Sequence, residues 1–479
     1  MSLDHKTFFI GGEWVQPSGS NRIDVINATT EEVLGSVPEA EPADVDRAVA
    51  AARSAFESGW GQSAPAERAD VLDRVADALE KRIDELSLVI SQQNGMPHEL
   101  SRAFEGHYVV SVFRYYAQQA RAMQTEELRA SPLGSSTEVR RSPIGVVAGI
   151  VPWNYPVLLA VSKIAPAMAA GCTLVIKPSP GTVLDSFIFA EAVQEARVPA
   201  GVINWVPGGR ELGAYIVSHP GVDKVSFTGS TAAGRAIGQA CGALLRPVSL
   251  ELGGKSAAII LDDADLDEVV NGLLHVAIPN NGQTCAASTR ILAPASRYDE
   301  IVSAVAAWAT SLKVGDPLDP GTDVGPLASK EHRDRVEGYI AAGRESGARI
   351  VAGGARPSQF NRGWFVEPTV FADVDNSSTI AQAEIFGPVL AIIKYDTEDD
   401  AVTIANDSEF GLGGSVWSTD HERALSVARR VQTGTIGING YALDFNAPFG
   451  GVKASGLGRE FGPEALAGYQ QLKSIYHAG

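Results

Sequence analysis

A chain of 479 residues, 45% hydrophobic and 20% charged, is too long for one compact core and too apolar for a disordered chain, so a soluble protein of two or three domains is expected. Its formal net charge of −18 argues against nucleic acid or an anionic membrane as a partner. Three cysteines, Cys172, Cys241 and Cys285, form no C-x-x-C pair; this argues against a disulfide scaffold or a thiolate zinc site, and fits a cytoplasmic protein without a metal.

The N-terminus lacks a basic stretch followed by a long apolar run, so no signal peptide is expected. Residues 8–15 read as a short hairpin around Gly11-Gly12. From residue 43 to 120 an Ala-rich pattern with charges three and four apart predicts helices, broken at Gly59 and at Gly95-Met96-Pro97. From Ile144 onward, short apolar runs ending in turn signals alternate with helical stretches. The predicted strands are 145–151, 173–177, 202–206, 224–227 and 248–250, with helices near 157–170, 182–196, 210–218 and 231–242. The apolar stretch from Val157 to Ile176 approaches a membrane span in length, but it contains Lys163 and Pro166 and reads as a buried helix turning into a strand.

This alternation predicts an α/β fold with a Rossmann-like parallel sheet, whose ligands gather at the C-terminal strand ends. Asn154, Lys177, Gly229 and Glu251 all fall just after a predicted strand. A second alternating series runs from 256–261 to about 440 and carries Cys285 on a loop after a helix near 265–279. The tail has Gly-rich turns. Two isolated strands, 137–141 and 470–477, need an edge to pair with, either each other or a neighbouring subunit.

Three segments carry chemistry. Cys285 lies in Asn-Asn-Gly-Gln-Thr-Cys-Ala-Ala, where small neighbours leave a thiol accessible; alone, it reads more readily as a buried small hydrophobe. Asn154 sits between two prolines in Pro152–Pro156, so its amide could donate to an oxyanion without reorganising, although an Asn turn cap suits the same context. Glu251 opens Glu-Leu-Gly-Gly-Lys and is a candidate base, against the plainer reading of a solvated carboxylate at a strand end. Together they supply a nucleophile, a base and an amide donor for covalent chemistry at a carbonyl.

These segments stand in one order with Lys177-Pro178-Ser179, Phe227–Ser230, Glu384–Pro388 and Pro448–Gly451. The set resembles the aldehyde dehydrogenase superfamily, in its NAD(P)-dependent hydrolytic branch, over nearly the whole chain. The resemblance implies a cofactor domain (1–123 and 144–253), a catalytic domain (254–445) and a small β bridging element (124–143 and 446–479), assembled as a homodimer or homotetramer. It implies oxidation of a small-molecule aldehyde through a thiohemiacetal and a thioester on Cys285, with Glu251 as base and Asn154 as oxyanion donor. Glu460 matches a second family glutamate that assists proton relay, unless it forms a structural ion pair. Lys163 supports Asn154 or the cofactor side, unless it is a snorkelling side chain.

For NAD, the resemblance assigns Lys177 to the adenosine ribose and Glu384 and Phe386 to the nicotinamide ribose and ring. Val151, Trp153, Gly229, Ser230 and Leu252 line the dinucleotide. Instead of a G-x-G-x-x-G after the first strand, Gly229–Gly234 opens a helix toward the pyrophosphate. Pro180 stands where many NAD-preferring members carry glutamate; with Lys177 and Ser179 this leaves room for NADP, NAD being expected first. The substrate tunnel is assigned to Tyr155, Leu159, Ser162, Thr284, Ala286 and Phe449, an apolar lining without arginine that suits aliphatic or aromatic aldehydes. A CoA-acylating relative would generally lack the carboxylate at Glu251. A thiol hydrolase would need a His partner, and a structural protein would not need these three residues together.

Overall fold

The computed structural model describes residues 3–132 and 134–477. The predicted alternation produces a six-stranded sheet. Its order is Gly456–Leu457, Val248–Glu251, Lys224–Thr228, Val146–Ile150, Thr173–Lys177 and Ile203–Trp205. All neighbours run parallel except Gly456–Leu457, which pairs antiparallel with the end of 248–251. The four strands from Val146 through Thr228 are buried along their length, which explains their unbroken apolar character. Strand order reverses between 146–150 and 224–228, so a crevice opens beyond their C-terminal ends, beside Val151 and Gly229.

The second series forms a seven-stranded sheet. Its order is Arg349–Ala352, Thr369–Ala372, Val389–Tyr395, Arg290–Pro294, Ala257–Ile260, Gly414–Trp417 and Gly437–Ile438. Only Arg349–Ala352 runs antiparallel to its neighbour.

The two isolated strands pair with each other: Ser136–Pro143 lies antiparallel to Gln470–His477. A third strand, Glu126–Ala130, extends this sheet and escaped the sequence reading, because Glu-Glu-Leu-Arg-Ala is short, charged and mostly exposed. The C-terminal tail, expected to serve the bridging element as a whole, divides. Gly456–Leu457 joins the six-stranded sheet, and Gln470–His477 joins the three-stranded one.

Helices Pro42–Glu57, Pro65–Glu80, Ile83–Asn94 and Val109–Arg121 break at Gly59 and Gly95 as predicted, with a further break at Lys81-Arg82 that no Gly or Pro announces. Between His98–Ser101 and Val109 the chain makes a π-turn, Arg102–Tyr108. All fifteen residues of helix Pro156–Ala170 are buried, so its sequence is apolar all round. Among the described residues no helix is long and apolar enough to cross a membrane.

Candidate active site

Cys285 follows a short 3-10 turn, Pro279–Gly282, in which Asn280, Asn281 and Gly282 all have positive φ (51°, 61° and 78°). Two consecutive left-handed asparagines are costly and persist only when their surroundings fix them. Asn281 Nδ2 donates to Gly95 O (2.8 Å) and Pro326 O (2.9 Å), while its Oδ1 accepts from Gly325 N (2.7 Å). Gln283 Oε1 accepts from Ala328 N (2.8 Å). A Cβ on Gly254 would collide with the Cys285 carbonyl, so the second glycine of Glu251–Lys255 permits this loop to approach.

The Asn154 amide reaches the same loop. Its Nδ2 donates to Gln283 O (2.9 Å), leaving its second amide hydrogen for another acceptor. Its main-chain carbonyl accepts from Asn280 Nδ2 (2.9 Å) and Asn94 Nδ2 (3.1 Å). The rigidity read from the flanking prolines is therefore reinforced by two asparagines that the sequence reading passed over. Asn280 stands in an Asn-Asn-Gly run, a turn signal that could have marked it; nothing local marked Asn94.

Cys285 opens to a cavity yet lies deep in the protein. Burial pushes its thiol up to about 12, and the nearby Glu384 and Glu251 carboxylates push in the same direction, whereas the Ala286 N–H favours the thiolate. Glu251 is buried and neither carboxylate oxygen has a hydrogen-bond partner; the Gly451 N–H leans toward it without closing a bond. Burial, then the Glu460 charge, raises its pKa well above the ordinary carboxylate range. A partnerless buried carboxylate is costly, and such a group at a strand end marks a place where function overrides stability.

Glu460 has the opposite surroundings. It reaches the site because Gly456–Leu457 pairs beside Glu251 and Phe449 and Glu460 exchange two main-chain hydrogen bonds of 2.7 Å. Its Oε1 takes the Lys163 ammonium at 2.5 Å, and its Oε2 accepts from Ser162 Oγ at 2.8 Å. Lys163 also donates to Thr228 Oγ1 (2.6 Å) and is fully buried, so it does not snorkel. Ser162 is corrected likewise: it is fully buried on Glu460 and does not line the tunnel, because its hydroxyl is drawn to the carboxylate.

The tunnel is a cavity of about 430 Å³ that includes Asn154 and Cys285 on its wall. Tyr155, Leu159, Thr284, Ala286 and Phe449 are on its wall, with Phe104, Tyr108, Leu158, Tyr441, Leu443 and Phe461 among the others, and the exposed His275 also borders it. Its three phenols are turned to protein partners. Tyr155 meets Thr284 Oγ1 at 3.0 Å, Tyr108 donates to Leu443 O at 3.1 Å, and Tyr441 meets Thr435 Oγ1 at 2.7 Å. Asp444 is occupied by Asn446 in an exposed turn outside this lining.

The remaining predicted residues stand at or just after strand ends of the six-stranded sheet and, for Glu384 and Phe386, on the loop before Val389–Tyr395. Ser230 caps helix Thr231–Ala243, accepting from Ala233 N, at an exposed helix start that suits an anion. Gly229 N donates to Glu251 O (3.0 Å), and Val151 N donates to Lys177 O (3.0 Å). Leu252 is buried under Gly234, with its N–H on Ser455 O. Lys177 spends its ammonium on Gly208 O (2.7 Å) and Pro178 O (2.9 Å), and burial pushes its pKa down to about 8. Ser179 and Pro180 are half-buried just beyond, where Pro180 starts a 3-10 turn. Trp153 packs edge-on against Phe386, which has φ 67°, and against His332, whose Nε2 meets Phe386 O at 2.7 Å. Glu384 Oε1 accepts from Gly254 N at 3.1 Å, and Gly253 lacks the Cβ that would strike this carboxylate. Glu384 thus faces the Cys285 side of the crevice. Among the described residues no cluster could hold a metal ion.

A thiol, a fixed amide and two unlike carboxylates, between an apolar tunnel and the crevice of a parallel sheet, define a thiol-dependent α/β enzyme acting on a carbonyl. The chain belongs to the aldehyde dehydrogenase family, whose sequence profile matches residues 14–475. It is 58% identical over the full length of both chains to geranial dehydrogenase of Castellaniella defragrans. Its fold is similar to that of a Mycobacterium tuberculosis aldehyde dehydrogenase complexed with NAD+ (TM-score 0.97, 48% identity, 99% and 98% of the two chains). It is also similar to a mutant of aldehyde dehydrogenase C from Pseudomonas syringae complexed with NAD+ and octanal (TM-score 0.95, 40% identity, 98% and 96%).

Proposed function

We propose that the protein oxidises an apolar aldehyde to its carboxylic acid with NAD+. The carrying observation is that Cys285 and the Asn154 amide meet on the wall of one apolar cavity. The Cys285 thiolate adds to the aldehyde carbon, and the Asn154 Nδ2–H and the Cys285 N–H hold the oxygen as a thiohemiacetal. A bound NAD+ would supply the hydride acceptor, and loss of hydride from the thiohemiacetal would leave a thioester on Cys285. Glu251 takes the proton of the water that hydrolyses this thioester, and its partnerless oxygens leave it free to do so. Glu460, held on Lys163 and Ser162, is a fixed charge and the second candidate in the proton path.

Glu384 and Phe386 hold the nicotinamide side, Trp153, Val151, Gly229, Ser230 and Leu252 the middle, and Lys177, Ser179 and Pro180 the adenosine ribose. The cofactor domain comprises 1–123 and 144–253, and the catalytic domain 254–445. Strands 136–143 and 470–477 serve assembly into a homodimer or homotetramer, in a cytoplasmic enzyme.

Octanal and geranial followed by NADH formation test this reading. Both are expected to be turned over with much higher kcat/KM than a carboxylate-bearing semialdehyde, because a buried carboxylate here would find no arginine or lysine in the tunnel lining, where the one histidine, His275, is exposed. Preference for the semialdehyde would overturn it. Pro180→Glu is expected to depress kcat/KM with NADP more than with NAD, through repulsion of the 2′-phosphate. An unchanged ratio would place Pro180 away from the ribose.

A further inference from the structure

The helix that bears the tunnel residues Tyr155, Leu158 and Leu159 begins without a cap of its own. Tyr155 occupies its N-cap position and offers no side-chain hydrogen bond, and Pro156 follows with no N–H. The next two N–H groups, of Val157 and Leu158, would be orphaned in a fully buried setting. Both go to one atom, 52 and 53 residues upstream: Glu105 Oε2 accepts from Val157 N at 2.7 Å and from Leu158 N at 3.1 Å. Leu159 N then starts the ordinary ladder on Tyr155 O.

Glu105 is completely buried, and its other oxygen, Oε1, has no hydrogen-bond partner. Burial pushes its carboxyl up to about 8, against the two N–H donors, and the buried Asp185 adds to the rise. A helix cap at an exposed end would be supplied by a local Ser, Thr, Asn or Asp at far lower cost. Here it comes from the π-turn Arg102–Tyr108, whose Phe104 and Tyr108 also line the tunnel, Phe104 standing edge-on to Tyr155. Just before the capped helix start, Asn154 reaches Gln283 O, and Tyr155 reaches Thr284, the residue before Cys285.

We propose that Glu105 is a positioning residue for the reaction: by holding the start of helix Pro156–Ala170 to the π-turn, it sets the Asn154 amide and the Tyr155 phenol against the Cys285 loop. The proposal rests on the aldehyde dehydrogenase reading of that site. A misplacement near 1 Å costs about 10²-fold in rate, so the effect falls on kcat.

The test compares Glu105→Ala, Glu105→Asp and Glu105→Gln in the full chain. The readouts are kcat and KM with octanal, KM for NAD, and the rate at which iodoacetamide alkylates Cys285, read by intact mass. Glu105→Ala and Glu105→Asp, the latter one methylene short, are expected to lose about 10- to 100-fold in kcat while KM for NAD stays within about twofold, because Glu105 is fully buried against the helix start. Glu105→Gln keeps an acceptor for both N–H groups and is expected to restore most of kcat and the wild-type alkylation rate. Should Glu105→Ala fail to fold, Glu105→Asp carries the same comparison. A folded Glu105→Ala or Glu105→Asp with wild-type kcat and alkylation overturns the proposal, and so does a Glu105→Gln as slow as Glu105→Ala. Alkylation needs no aldehyde or cofactor. If the wild type does not oxidise octanal while alkylation still separates Glu105→Ala from Glu105→Gln, the functional reading fails and the positioning role stands.

Discussion

Cys285→Ser is expected to abolish aldehyde turnover while leaving NAD binding nearly intact. A serine hydroxyl is a far weaker nucleophile here, since Glu251, the candidate base, is not hydrogen-bonded to residue 285. Cys172→Ser and Cys241→Ser should keep most activity, because both thiols are fully buried outside the tunnel and Cys172 donates to Tyr469 O. A Cys285→Ser enzyme that oxidised octanal at a rate comparable to wild type would exclude the covalent route.

The ionisation of Cys285 gives the same prediction a second readout. With the thiol pushed up to about 12, it is protonated at neutral pH in the ligand-free protein, and its alkylation should climb steadily as pH rises toward that value. Glu384 and Glu251 contribute to this rise through their charge, so a cationic nicotinamide ring, if bound beside them as proposed, would oppose it. Saturating NAD+ is therefore expected to accelerate alkylation at pH 7. NADH, whose ring is uncharged, should do so less. Equal effects of the two forms would show that the ring charge does not reach the thiol.

How far the sequence reveals this site depends on where each constraint lies. Asn154, Gly229 and Glu251 could be placed together because a parallel sheet delivers successive strand ends to one crevice, whatever the details of packing. The two glycines after Glu251-Leu252 permit close approach, but only the fold shows what approaches, the Glu384 carboxylate and the Cys285 carbonyl. Ser162 went wrong for a related reason. The resemblance put it on the tunnel, but on this helix, buried all round, its hydroxyl turned instead to Glu460, 298 residues away. Glu105 and Asn94 were invisible because each acts on main-chain atoms far along the chain, and no local pattern encodes such a bond.

Glu251→Gln is expected to separate the two halves of the reaction. Glu251 and Glu460 are neighbouring carboxylates with contrasting environments: Glu460 is neutralised by Lys163 and bonded at both oxygens, while Glu251 is bonded at neither. A base must be free to take a proton, and that points to Glu251. Its raised pKa has a definite sign. Below that pKa it is protonated and inactive as a base, so wild-type hydrolysis should show a basic limb, rising with pH as Glu251 ionises. Glutamine keeps the shape but cannot take a proton, and steady turnover should fall by about 10²–10⁴-fold, the usual contribution of a positioned base, with that limb lost.

The first step should behave differently. The Glu251 charge disfavours the Cys285 thiolate, so removing it should leave the thiol no harder to ionise. The first burst of NADH should then survive in Glu251→Gln, and an acyl group should accumulate on Cys285, visible by intact mass. If Glu251 instead deprotonates Cys285 after moving toward it, the burst slows with the steady rate, no acyl-enzyme accumulates, and higher pH partly restores the burst. Full steady-state activity in Glu251→Gln would remove it from the mechanism and leave Glu460 as the base, which would then have to release Lys163 to act.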